Sequence, residues 1–468
     1  MRRWVQCAVL LVMSSGIGAC TINVSTPQAF NATAIIQPSF TPTEIIPTAT
    51  ETLENTATAS ATPTLTPTPT PIFTDTPSPT PTPEGTQALF TLTPASALNN
   101  PPEHSSPPLT PVPTDGWSCG DFPCADDIDG WLERIQVPSG YQVEFLGRFP
   151  GQVQQITYGG DGRLYATVLE NGTRIGAVYR LMETGAVERY AGDFYSPLGI
   201  VAQPGTNAFY VTARIAPMSG GALWRIPETG GIVEPVFSDL PCCYQLIDNQ
   251  PNGLIFGNDG YLYMGVGSLT DRTEPLAGRA QGYQEVQPYE ASILRVQPHT
   301  GEITEFATGI RNPFDITFTS SGEMYVTDSG LISGIGDRLL RVRAGEYFGW
   351  PYYRDRGCED CQLTPNLTIQ PDLLTLAERS LPRGLVAYQG QMFPANTFDT
   401  LYIALWNNIE GGQQIVHVVP SIVGNGYVPE PFMTGIIRPI DVTVAPDGAL
   451  IVADYVYGHI WRVVYVGN

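Results

Sequence analysis

The chain contains no lysine: all 23 of its basic residues are arginine. Chemistry that needs a side-chain amine, a Schiff base above all, is therefore excluded. Histidine is nearly as scarce, with four in 468 residues: His104, His299, His417 and His459. Positive charge as a whole is in short supply. Against 45 acidic side chains it leaves a formal net charge of -22, which argues against nucleic acid or anionic lipid as the main partner. No apolar run is long enough to cross a bilayer.

What is present begins with "MRRWVQCAVLLVMSSGIGAC". Two arginines, a short apolar run and small residues before Cys20 describe a secretory signal peptide over 1–20, with "IGAC" as a lipobox that makes Cys20 the lipid-modified residue. Residues 21–116 are rich in Thr and Pro, as in "TATASATPTLTPTPTPIFTDTPSPTPTPEG". Proline at this density blocks helices and sheet ladders, and the stretch lacks apolar residues for a core. It reads as a disordered, extended spacer between a membrane anchor and a domain over 117–468. The expected location is extracytoplasmic, at the cell surface or in the periplasm, with the membrane reached through the lipid alone. Beyond Cys7 and Cys20, six cysteines fall in close pairs: Cys119 and Cys124, Cys242 and Cys243, Cys358 and Cys361. Outside the cytoplasm such a set suggests disulfides, with the connectivity open.

The remaining sequence repeats itself. "VQQITYGGDGRLYATV", "PLGIVAQPGTNAFYVTA", "NQPNGLIFGNDGYLY", "RNPFDITFTSSGEMYVTD", "RGLVAYQGQMFPANTFDTLYIAL" and "RPIDVTVAPDGALIVAD" each set a short apolar strand, a polar turn and a second strand in succession. Asp-Gly between such strands is a strong hairpin signal. A third strand with an arginine follows most units ("AVYRL", "ALWRI", "SILRV", "RLLRV", "HIWRV"), while the fifth has "QIVHV". Six units over about 350 residues, each too small to bury both faces of its own sheet, predict an all-β fold, a six-bladed β-propeller. A sandwich does not need six similar hairpins, and a solenoid repeat would be shorter. The segment "DDIDGWLERIQVPSGYQVEFLG" is expected to supply a helical turn and the outer strand that closes the ring.

In such a fold the inner strands line the axis, and antiparallel pairing brings the start of each first strand beside the end of the second. One mouth should therefore gather Gln154, Pro197, Asn252, Arg311, Arg383 and Arg438 with Arg214, Ser268, Asp328, Asn407 and Asp454. Planar guanidinium groups favour carboxylates and phosphates, so one reading is an anionic ligand on the axis. The other is that the arginines form structural bridges with Asp328, Asp441 and Asp454.

With these motifs in order, "NGLIFGNDGYLYMGVGS", "ATGIRNPFDITF", "YVTDSG", "GEYFGWP" and "RPIDVTVAPDGALIVAD", the region from about 135 to 466 resembles the glucose/sorbosone dehydrogenase family of soluble aldose sugar dehydrogenases. The resemblance implies a six-bladed propeller that binds pyrroloquinoline quinone (PQQ) and calcium and oxidises sugars. It implies that Arg311, Asn312 and Arg438 hold the cofactor and that Asp337 serves the metal; their places at the same mouth add Arg383 and Asp454 to the cofactor candidates and Asp328 to the metal candidates. The family's calcium-loop pattern is half kept, since Arg338 follows Asp337, and its cofactor-contacting lysine has no counterpart. Its histidine base aligns with Asn249, directly after Asp248. Asparagine is no general base. Asp248 is the nearest carboxylate, but an ordinary aspartate, with a pKa of roughly 3.9, is a poor base, and its neighbour on an extended segment points the other way. Catalytic candidates are thus Asp248, Asn249 and Arg311.

Three functions follow. The first is a lipid-anchored quinoprotein dehydrogenase with an incomplete catalytic set. The second is a non-catalytic propeller that binds a carbohydrate or anion, with Trp406 or Trp350 stacking on a sugar. The third is a calcium-dependent lactonase-type propeller drawing on Asn252, Asp328, Asp454 and Gln154. The expected partner is a sugar or other small molecule, and no protein partner is inferred.

Overall fold

The computed structural model describes residues 119–170, 173–216, 219–231, 233–242, 251–269, 287–330, 337–350, 368–422 and 426–467. Cys20, Cys243, Asp248, Asn249, Cys358 and Cys361 lie outside them, as do the signal sequence and the Thr/Pro-rich spacer.

Among the described residues, 24 strands form six antiparallel four-stranded blades, the first two linked at one residue pair, Tyr195 with Arg214. Strands are numbered in chain order, and the first, β1 (Tyr141–Arg148), belongs to the last blade, so blade 1 holds β2 (Gly151–Tyr158), β3 (Leu164–Glu170), β4 (Ile175–Leu181) and β5 (Val187–Tyr195). Blade 2 holds β6 (Ile200–Ala202), β7 (Phe209–Ala216), β8 (Ser219–Ile226) and β9 (Glu234–Leu240). Blade 3 holds β10 (Pro251–Phe256), β11 (Leu262–Val266), β12 (Ser292–Val296) and β13 (Ile303–Thr308). Blade 4 holds β14 (Pro313–Phe318), β15 (Met324–Asp328), β16 (Arg338–Val342) and β17 (Leu374–Thr375). Blade 5 holds β18 (Pro382–Ala387), β19 (Leu401–Leu405), β20 (Gln414–Pro420) and β21 (Tyr427–Met433). Blade 6 holds β22 (Pro439–Val444), β23 (Leu450–Asp454) and β24 (His459–Tyr465), with β1 paired to β24 on its outer edge. N-terminal and C-terminal segments thus share one sheet, which ties the ends of the ring together. Each inner strand touches its two neighbours around the axis, and β22 returns to β2.

The core is not one central mass but six layers, one between each pair of blades. Strand alternation explains this. On β11, Leu262 and Met264 pack toward blade 2, while Tyr263 between them packs toward blade 4. Threonines on the second strands pin the layers. Thr212 Oγ1 accepts from Gly199 N in its own blade at 2.8 Å and donates to Asn252 O of the next at 2.7 Å. Thr327 does the same with Asp315 N (3.1 Å) and Arg383 O (2.8 Å), and Thr167 bonds Gln155 N and Leu198 O. Blade 3 has Gly265 at the matching place, where a Cβ would lie 2.3 Å from Pro313 O.

The Asp-Gly turns close hairpins as their sequence suggests. Asp161, Asp259 and Asp447 each accept a hydrogen bond from the backbone N–H two residues on. The recurrent third-strand arginine clamps the same aspartate: Arg295 meets Asp259 at 2.8 Å, and Arg462 bonds Asp447. Ahead of the ring, a disulfide joins Cys119 to Cys124, and Cys242 is disulfide-bonded too. The helix α1 (Ile128–Arg134) carries Trp131 into the blade 5–6 layer, and His459 Nε2 lies 2.6 Å from Ala125 O.

Candidate functional site

The mouth forms where inner strands begin. Pro313 pairs with Asp328, Pro382 with Leu405 and Pro439 with Asp454, so residues just before the first strands and just after the second strands share one end of the ring. Each of these pairings carries a bulge one or two residues in, which re-aims the side chains there.

The arginines differ. Arg311 is 3% exposed and its Nη1 donates to Ser329 O at 3.1 Å, while its carbonyl accepts from Ser268 N. Arg383 lies over the Phe314 ring at 4.4 Å and 5.8 Å from the centre of the Trp406 ring. Arg438 sits 4.1 Å from the centre of the Trp406 ring. Its backbone has φ 39°, a left-handed conformation that costs a non-glycine residue energy. Its Nη1 is buried without a hydrogen-bond partner, and among the described residues Arg438 has no carboxylate partner. The Trp406 indole N–H is buried without a partner as well, and Tyr455 packs edge-on against that ring at 5.7 Å. Two donors with nothing to give to, on one stacked platform at the mouth, form an anion-seeking surface in a strongly acidic chain.

The acidic residues expected to bridge the arginines do other work. Asp328 Oδ1 accepts from Asn312 N at 2.8 Å, and its Oδ2 pairs with Arg338 Nε at 2.9 Å in a fully buried ion pair. Asp454 accepts from Tyr457 N at 2.7 Å and His459 N at 3.1 Å, which shapes the turn after β23. Asp337 accepts from Gly330 N, Leu381 N and the Ser380 hydroxyl, joining blades 4 and 5, and burial raises its pKa. Both oxygens of Asp328 and of Asp337 are thus engaged. Among the described residues no group of three or more His, Cys, Asp or Glu could hold a metal.

Of the other mouth candidates, Asn252 is fully buried, with its amide N–H donating to Asn312 Oδ1 and Pro313 O and its Oδ1 left without a partner. Asn312 is thereby locked between Asn252 and Asp328. Gln154 and Asn407 turn back onto nearby carbonyls, those of Gln152 and Arg379. Trp350 is 1% exposed and packed inside, so it offers no face to a sugar, whereas Trp406 is partly open. Asp248 and Asn249 are not among the described residues. Residues the motifs did not single out lie deeper on the axis: Gln155 and Asp315, with Asp441 in a different place from the bridging one expected. A shared local pattern marks all three, each standing directly before a β-branched strand residue: Gln155 before Ile156, Asp315 before Ile316 and Asp441 before Val442.

Residues 245–462 match the family model described as Glucose / Sorbosone dehydrogenase. An uncharacterised protein of Borreliella burgdorferi is 26% identical over 200 residues, 38% of this chain and 52% of that protein. The match thus spans about half the length of that curated relative. The soluble aldose sugar dehydrogenase of Escherichia coli, in its apo form, superposes with a TM-score of 0.52 at 15% identity, covering 69% of this chain and 99% of that one. The PQQ domain of pyranose dehydrogenase from Coprinopsis cinerea, in its holo form, superposes with a TM-score of 0.52 at 14% identity, covering 70% and 97%. At such identities the likeness of structure establishes the fold and nothing finer.

Proposed function

We propose, with the resemblance to the glucose/sorbosone dehydrogenases as the premise, that this propeller binds PQQ, a planar polyanionic quinone, at its mouth. The observation that carries the proposal is Arg438: a guanidinium stacked on Trp406, held in a strained backbone, with a buried Nη1 and, among the described residues, no carboxylate partner. Arg438 and the Trp406 N–H would donate to the quinone's carboxylates, and Arg383 and Arg311 would add positive potential. When bound, the quinone supplies hydride-accepting chemistry. Calcium fits less well at the positions expected for it, because Arg338 already neutralises Asp328 in a buried ion pair and Asp337 is held by three donors. No step is assigned to calcium there.

The chain's own contribution to sugar oxidation is incomplete in this reading. The base that removes the C1 hydroxyl proton would stand at Asn249, which cannot accept it. The reading is therefore a quinone-binding propeller with absent or very weak aldose turnover, held outside the cytoplasm by a lipid on Cys20. Calorimetric titration with PQQ tests it. The expected result is binding by the wild type and at least about tenfold weaker binding by Arg438→Gln, the loss of one charge-assisted contact. Equal affinity in the two proteins would remove the basis of the assignment. A mouth that takes sugars without quinone would instead favour the non-catalytic binding reading, for which the partly open Trp406 face is the support.

A further inference from the structure

Each inner strand, or in blade 2 the residue just before it, brings one residue to the same level of the axis: Gln155, Gly199, Gly253, Asp315, Gly384 and Asp441 in blades 1 to 6. Three carry polar side chains and three are glycine. The glycines make the room. A Cβ on Gly253 would lie 2.5 Å from both Asp315 Oδ1 and Gln155 Nε2, and one on Gly384 would lie 2.1 Å from Asp441 Oδ1. The side chains satisfy backbone donors that inner strands expose on their unpaired edge. Asp315 Oδ2 accepts from Leu385 N of blade 5 at 2.8 Å, Asp441 Oδ2 from Ile156 N of blade 1 at 2.7 Å, and Gln155 Oε1 from Ile200 N of blade 2 at 3.3 Å.

Asp315 Oδ1 also accepts from Ile316 N at 2.9 Å, so both of its oxygens hold backbone N–H groups, while the same role accounts for one oxygen of Asp441. Asp441 is 3% exposed, and its Oδ1 has no hydrogen-bond partner of good geometry. Both carboxylates close on the same Gly384–Leu385 peptide, one against the glycine and one against the leucine N–H. Asp315 is the main charged group facing Asp441, and no arginine is paired with either among the described residues. Two buried carboxylates this close are costly when both are charged.

We propose that Asp315 and Asp441 form a cation site on the propeller axis, taking a hard divalent cation of the Ca2+ or Mg2+ type. Carboxylate oxygen is the ligand such ions prefer, and they commonly keep water in the positions the protein leaves open. A charge of two offsets both carboxylates, and the orphaned Oδ1 of Asp441 gains a partner. The site sits below the mouth and is independent of quinone binding there. Filled, it would brace blades 4, 5, 6 and 1 through the N–H groups the same aspartates hold.

The test is calorimetric titration of the full chain, stripped with chelator and free of quinone, with CaCl2 and separately with MgCl2, alongside thermal melts. The expected result is about one equivalent bound with a rise in melting temperature. Asp441→Asn should weaken binding at least about tenfold and abolish the rise, while Arg438→Gln, at the mouth, should bind the cation as the wild type does. No uptake of either ion at millimolar concentration overturns the proposal, and so does unchanged binding by Asp441→Asn. Should that variant not fold, the wild type still decides. PQQ binding, measured in parallel, stands or falls separately.

Discussion

Thr212 offers the sharpest test of how the ring holds together. It is fully buried, and its hydroxyl is shared between blades, accepting from Gly199 N and donating to Asn252 O. Thr212→Val keeps the shape and removes both bonds. Two backbone groups are then buried without partners, at about 1–3 kcal/mol each, so the expected loss is on the order of 3 kcal/mol. At about 2.1 cal/mol/K per residue, a ~350-residue domain unfolds with an entropy near 0.7 kcal/mol/K, so the melting temperature should fall by about 4 °C. Asn252 also anchors Asn312 at the mouth, so quinone affinity should weaken with it. Differential scanning calorimetry of the variant and the wild type measures the first effect. A fall of less than about 1 °C would mean that the threonine bridges are incidental and that apolar packing between blades suffices.

Three further outcomes can be checked. Burial, followed for Asp441 by the charge of Asp315, raises both axial carboxylates, Asp315 to about 7. A folded pKa above the unfolded one gives stability that is complete below about pH 4 and is lost as pH rises through 7. In chelator, melting temperature should therefore fall between pH 5 and pH 8, and Asp315→Asn should flatten that slope; an equally steep slope in the variant would refute the assignment. Cys20→Ser should move the protein from the membrane fraction to the soluble fraction, and retention to the same extent would exclude the lipid anchor. Asn249→His should create or strongly raise dye-linked aldose oxidation in PQQ-loaded protein. Brisk wild-type turnover that survives Asp248→Ala would show that the base lies elsewhere.

Much of this architecture is written in local pattern. The Asp-Gly turns at 161–162, 259–260 and 447–448 need nothing beyond their own hairpins, because an aspartate that caps its turn and a glycine at positive φ act within a few residues. The six-unit count and the outer strand supplied ahead of the repeats followed from spacing alone. So did the convergence of Arg311, Arg383 and Arg438 on one end, since strand pairing carries registry from one blade to the next. Partner choice was another matter. Asp328, Asp441 and Asp454 looked equivalent in their motifs, yet one holds Arg338, one faces Asp315 across the axis and one caps the turn before His459. Bulges near the start of β2, β10, β14, β18 and β22 turn neighbouring residues to different sides, and the sequence carries no local mark of which side. The same holds for Trp406 and Trp350, both beside a second-strand or loop motif, of which only the first is open to a ligand. Strand and turn identity are decided by residues a few positions apart. Which charge meets which is decided where strands 70 to 285 residues apart close into a ring, and only the tertiary structure sets those distances.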